Sequence, residues 1–358
     1  MYNDANHSSA KDGGEGGTAL TLYAKLVPAA LPVGPALLAA AVDPATGAYS
    51  MPGVPSGIYI IVIDDNALLA DVTPTLPAGW IGTEVPDQRR TGVSVGIIDV
   101  PNQNFGLYHG SRITGRVFND QGSGGGTPND GVQNGAEPGI AGVDAGVTDG
   151  TGTTTFDSTV TGGGGDYTLW VPAAAGNNPL RVVEANLTGY LSSGGQVGTT
   201  GGTYDRGTDV TAFTHTVGTI YAGVNFADVP VNQFNTDGLQ SALPGTTLYY
   251  PHSFTAGSAG EVGFATSAIA TPALPGWSEV LYRDANCNGQ FDAGEPQITA
   301  PIVTVAGDTI CILVKEFVPA AAPLGAQNVV TVTASFTYTN ASPALATTHT
   351  RTDTTTVG

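Results

Sequence analysis

The sequence predicts an all-β chain of Ig-like β-sandwich domains set in series, and three observations carry that expectation. Short runs of β-branched and aromatic residues recur throughout, separated by Gly, Asp, Asn and Pro, the pattern of strands and turns. Helical signals are nearly absent; only Pro35 to Ala41 has a helix-like composition, and it is short. The landmarks of the first part of the chain return in the same order at a spacing of about 115 residues, which implies two copies of one fold.

At 358 residues the chain suits two or three domains, each with its own core. The landmarks place them at 1–110, 111–230 and 231–358. Gly and Pro number 51 and 24, about a fifth of the chain, which is below the level of low-complexity disorder. Only 11% of residues are charged, so Thr, Ser, Asn and Gly must cover the surface. The net charge of −19 excludes nucleic acid and anionic membrane surfaces as partners. The longest apolar run, Ala29 to Val42, is broken by prolines and lacks a cationic flank, so it reads as neither an export signal nor a membrane span.

In the first domain, Ala19 to Val27 alternates as a strand, Gly47 to Ser50 with Gly57 to Ile63 reads as a hairpin, and Val93 to Gly96 and Asn102 to Gly106 close the unit. The second repeats this order with Gly165 to Val171, Leu180 to Glu184 and Val224 to Ala227. In the third, strands are expected at Thr247 to Phe254, Trp277 to Tyr282, Ile302 to Val305, Thr309 to Lys315 and Val329 to Tyr338.

The most specific stretch lies between two strands of the third domain. Asp284, Asn286, Asn288, Asp292 and Glu295 occupy positions 1, 3, 5, 9 and 12 of the loop D-x-[DN]-x-[DN]-G-x5-E, with Gly289 at the turn and Gln290 offering its carbonyl at position 7. Asp4, Asn6, Ser8, Asp12 and Glu15 repeat the pattern, with Ser9 in place of the glycine. A third copy starts at Asp120 and, after the insert Gly122 to Thr127, continues through Asn129, Asp130, Asn134 and Glu137. Oxygen donors alone, at this spacing, point to the hard cation Ca2+. Strand-like flanks make these clips between strands rather than EF-hands, and the competing reading is that they are ordinary Asp/Asn/Gly turns.

Cys287 and Cys311 are the only cysteines, and an exported setting favours a disulfide between them. Chemistry of other kinds is missing. The five histidines stand far apart, no G-x-S-x-G elbow occurs, and Glu184, Glu261 and Glu279 lie outside the loops with no spacing that unites them. Trp80, Trp170 and Trp277 could stack on sugars but are expected to pack in cores or junctions.

The first two domains resemble the B-type repeats of serine-aspartate-repeat adhesins and the related collagen-adhesin B-type domains. Val117-Phe118-Asn119-Asp120 with Glu137-Pro138-Gly139, Gly165-Asp166-Tyr167 with Gly47-Ala48-Tyr49, and the closing Asn104-Phe105 and Asn225-Phe226 carry the likeness. The third resembles repeated bacterial cell-surface modules through Pro275-Gly276-Trp277-Ser278, the Asp284 loop and Val318-Pro319. The resemblance implies prealbumin-like and Ig-like stalk domains stiffened by calcium, extracellular and without enzymatic activity. Many such relatives carry a Lys–Asn isopeptide bond; with lysines only at 11, 25 and 315, Lys25 or Lys315 could form one only if buried beside a carboxyl and an Asn.

The expected function is therefore a calcium-stabilised structural segment, stalk or fibre subunit of a bacterial surface protein or matrix, partnered by copies of itself or flanking repeats. The first opening strand looks shortened, so a segment such as Thr348 to Val357 of another copy could add there. The alternative is a carbohydrate- or protein-binding adhesin module, or an accessory domain of a secreted enzyme.

Overall fold

The computed structural model describes residues 1–30, 33–85 and 87–358, so Leu31 and Pro32 of the apolar run lie outside the described residues. Among the described residues, helix is confined to three single 3-10 turns at 123–125, 173–175 and 198–200. The rest is strand and turn, packed as two-sheet sandwiches around three buried clusters.

The first cluster, which includes Leu22, Ile61, Ile63, Phe105 and Leu107, lies between two sheets. One runs Leu38–Ala41, Tyr23–Pro28, Gly57–Asp64, Arg89–Val95; the other sets Tyr2–Asn3 and Trp80–Gly82 on the front of Gly106–Asn119. The helix-like stretch at Pro35 to Ala41 thus ends in a strand, because Leu38–Ala41 finds a partner in Tyr23–Leu26. The Gly47 to Ser50 half of the expected hairpin is not a strand: the Gly47 carbonyl accepts the Met1 amino group, and Gly57–Asp64 pairs with Tyr23–Pro28 and Arg89–Val95 instead.

The second cluster, with Ile113, Val147, Leu169, Val182 and Phe226, is built on the back of the same strand. Gly106–Asn119 carries on past the first sandwich to pair with Asp166–Pro172, Ile220–Tyr221 and Val224–Pro230, opposite a sheet ordered Thr203–Asp205, Val210–Thr214, Pro179–Ala185, Asp144–Asp149, Thr155–Val160. The crossing point requires glycine, since a Cβ on Gly110 would sit 2.2 Å from the Val171 carbonyl oxygen.

The third cluster, with Phe254, Ile312, Val332 and Phe336, lies between Gln233–Asn235, Thr247–Thr255, Thr309–Phe317, Ser278–Arg283 and a five-stranded sheet. In that sheet Ala346–Val357 pairs with Gln327–Tyr338 on one side and Gly238–Ala242 on the other. Its backbone is already taken on both edges, so the expectation that Thr348 to Val357 could add to another copy is corrected: donating it would dismantle its own sheet.

Lys25 is fully buried, and its Nζ donates to the Asp64 carboxylate, to Asn66 Oδ1 (3.1 Å) and to the Asp71 carbonyl (2.7 Å). It therefore meets the condition of burial beside a carboxyl and an Asn, whereas Lys315 lies over the rings of Tyr249, Tyr282 and Phe291. Removing the ammonium leaves a buried carboxylate uncompensated. Lys25→Met should cost about 3–5 kcal/mol in denaturant unfolding of the first sandwich, and adding Asp64→Leu should recover much of it; a loss below about 1 kcal/mol would show that the pair is not buried in solution.

Candidate metal centres

The three loops fold alike, down to single hydrogen bonds. Asp4, Asp120 and Asp284 are each buried, and each accepts the N–H of position 6 through Oδ2: from Ser9 at 3.0 Å, Gly131 at 2.9 Å and Gly289 at 2.8 Å. Glu15, Glu137 and Glu295 each accept the N–H of position 9, from Asp12 at 2.8 Å, Asn134 at 3.0 Å and Asp292 at 3.1 Å. A backbone bond from the residue before position 1 to the one after position 12 closes every loop: Asn3 to Gly16, Asn119 to Pro138 and Arg283 to Pro296. Ser9, with φ 59°, holds the left-handed turn that Gly131 and Gly289 adopt at φ 72° and 74°.

Position 3, 5 and 9 side chains meet over this frame. Asp12 Oδ2 accepts from Asn6 and Ser8, Asp292 Oδ2 accepts from Asn286 and Asn288, and Asn134 bonds Asp130 at 3.0 Å. The Gly122 to Thr127 insert folds back over the loop, the N–H groups of Gly122 and Thr127 donating to Glu137 Oε1 at 3.1 Å and Asn134 Oδ1 at 2.6 Å, and Asp120 keeps the role of position 1 across the gap in sequence. Two carboxylate oxygens in these loops, Glu295 Oε1 and Asp120 Oδ1, are buried with no hydrogen-bond partner, and a hard cation fits that donor set. Gln290 donates its N–H to Asn288 Oδ1 at 2.7 Å.

Position 4 behaves differently, and the sequence pattern says nothing about it. His7, Asn129 and Cys287 all occupy it with φ of 46°, 61° and 54°. His7 stacks on Trp170 of the second sandwich, with ring centroids 4.8 Å apart and 8° between planes. Asn129 donates its amide to the carbonyls of Ala259 (2.9 Å) and Thr339 (3.0 Å) in the third. Asn129, expected as a metal ligand, thus directs its NH2 group at a junction. Cys287 forms the disulfide to Cys311, Cα atoms 5.4 Å apart, tying its loop to Thr309–Phe317.

A further cluster lies inside the second sandwich. Glu184, Asp209 and Asp228 each place one carboxylate oxygen within 4.8 Å of the others, and all three are buried. Asp209 is held by Ser192 Oγ at 2.5 Å and Tyr204 Oη at 2.8 Å, while both oxygens of Glu184 and both of Asp228 have no partner. A bulge between Ser192 and Gly194 lets Ser192 face Asp209 while Ser193 donates to Asp120 Oδ2 at 2.7 Å. Burial, and the carboxylates around them, push Glu184 and Asp228 well above the ordinary carboxylate range, and burial moves Asp120 up to about 7.

Sequence reading missed this cluster because its members come from three separate places in the chain. The available signal was register: Glu184 shares a strand face with the buried Leu180 and Val182, and Asp228 with Val224 and Phe226, where acids are rare.

No protein-family model matches the chain, and no curated protein matches it. Among solved structures, the major pilin subunit BcpA of Bacillus cereus is 12% identical with a TM-score of 0.37, covering 69% of this chain and 69% of its own. The major pilin SpaD of Corynebacterium diphtheriae is 9% identical with a TM-score of 0.31, covering 67% and 65%. The Bacillus anthracis TIE protein covers 95% of this chain and 48% of its own at a TM-score of 0.25 and 9% identity.

The raised carboxyls fix the sign of a pH effect. A folded pKa above the unfolded one means that the fold holds protons the unfolded chain releases above about pH 4, so stability falls as pH rises through the folded values, about 7 for Asp120 and about 8 for Asp228. His215 and His349, lowered by burial, act in the opposite sense below about pH 6.5, so the comparison is made against a variant that keeps them. In chelator, the melting temperature of the wild type relative to Asp228→Asn should fall between about pH 5 and pH 8. A difference that stays level across that range would contradict the assignment.

Proposed function

We propose that the chain is a non-enzymatic structural segment of a bacterial extracellular surface protein, a stalk or fibre unit. Its sandwiches at 1–110, 111–230 and 231–358 are held in line by calcium loops, and its neighbours are further repeats or copies of itself. The single observation that supports this best is the fourth loop position: in two of the three loops the side chain beside the metal ligands reaches into the next sandwich. A cation that orders the loop therefore also orders the junction.

The contacts around these two side chains are those of a fixed joint. At the first, Tyr108 meets Trp170 edge to face at 5.2 Å, and a Cβ on Gly218 would lie 2.8 Å from Gly79 Cα. At the second, Asn340 donates to the Pro128 carbonyl at 3.1 Å, and Arg206 donates to those of Pro343 and Ala344 at 2.7 and 2.9 Å. The three tryptophans are engaged within the chain rather than offered to a sugar: Trp80 stacks on His109, Trp170 on His7, and Trp277 packs against the cluster of Val318 and Ala322.

Extracellular loops of this kind bind calcium at about 10⁻⁴ to 10⁻³ M. An ion present at about ten times its dissociation constant stabilises its unit by about 1.4 kcal/mol. Glu295→Ala should abolish the calcium-dependent rise in melting temperature of the third sandwich, while Gln290→Ala, which keeps the position 7 carbonyl, should preserve most of it. Gly294 is unsuitable as a control because its φ of 103° penalises any side chain. An unchanged response in Glu295→Ala would show that the Asp284 loop is an ordinary turn.

A further inference from the structure

We propose that Glu184, Asp209 and Asp228 form a divalent-cation site within the second sandwich, of the oxygen-ligated calcium class and separate from the three loops. The cluster alone would not carry this. Glu184 is 7% exposed and Asp228 is fully buried, and none of their four carboxylate oxygens receives a hydrogen bond from an N–H or hydroxyl donor; they face the other acids, with Glu184 close enough to Asp209 to share a proton. Buried carboxylates left this way demand a cation or protons.

The first sandwich shows how the chain neutralises a buried carboxylate of its own, on the face of the sheet turned away from the main core. There Lys25 pairs in register with Val62, two residues before Asp64, and its ammonium neutralises that carboxylate. In the second sandwich Glu184 lies instead on the core face of its strand, in line with the buried Leu180 and Val182, where Val147 pairs with Val182. Among the described residues, no ion pair reaches Glu184, Asp209 or Asp228. With no cationic side chain paired to it, the charge of this cluster must be balanced by something else.

The geometry matches a particular ion class. Two ligands on one ion are separated by at most twice the metal–ligand distance, and the carboxylate oxygens lie within 4.8 Å of one another. Calcium–oxygen distances of about 2.3–2.6 Å accommodate oxygens within that limit, and an all-oxygen ligand set is the one calcium takes. Carboxylates alone, with Ser192 donating to Oδ2 and Tyr204 to Oδ1 of Asp209, make a hard donor set with supporting hydrogen bonds.

The test is ion counting by equilibrium dialysis on the full chain, with calcium alone and then manganese alone. Glu184→Gln should bind one ion fewer per chain than the wild type; both carry the same loops, so the difference does not depend on how many loops are filled. Asp228→Asn, which removes a different unpartnered carboxylate, should also lose one ion while keeping a cooperative melt in chelator. If both variants keep the full count with both ions, the carboxyls share protons instead and the proposal is overturned.

Discussion

The constraint on which the molecule depends is the strand Gly106–Asn119. Its front half is an element of the first sandwich and its back half the spine of the second, so the two cannot rotate independently without breaking a shared ladder. Gly110 makes this possible by letting the strand pass close under Val171, where no side chain would fit. A flexible linker would have left the angle between units to chance. A continuous strand fixes it through backbone hydrogen bonds that need no particular side chains.

The loops act on the same joints from the side. The first two clips hold their position 1 carboxylates against their own sandwiches: Asp4 accepts the Thr83 hydroxyl, and Asp120 that of Ser193. The left-handed turn at position 4 then throws that residue's own side chain outward, His7 onto Trp170 from the first loop and Asn129 onto the Ala259 and Thr339 carbonyls from the second. In the third loop the same position is a cysteine, and the disulfide supplies the tether inside one sandwich. Clustered carboxylates repel one another, so the loop's order, and with it the reach of position 4, depends on what neutralises them.

Much of this was legible in the sequence where the information is local. The strands from Thr309 to Lys315, a short apolar run buried on both faces, and from Val329 to Tyr338, with alternating burial, were legible because β-branched runs bounded by turn residues carry their own signal. The shared turn geometry of the three loops was legible because their spacing is a property of one turn. What could not be read was pairing. Pro35 to Ala41 looked helical because alanine-rich runs are, until a neighbouring strand claims Leu38–Ala41. Ala346–Val357 looked available because nothing in its sequence reveals partners on both edges. Glu184, Asp209 and Asp228 stayed invisible because only the fold brings them together.

The central claim is that ion binding in a loop orders the joint beside it. The most direct measurement is the distance distribution between spin labels placed on the second and third sandwiches, recorded with calcium and with chelator. Calcium should narrow a distribution that is broad in chelator, and Asn129→Ala should leave it broad even when calcium is present. Identical distributions with and without calcium would contradict the account.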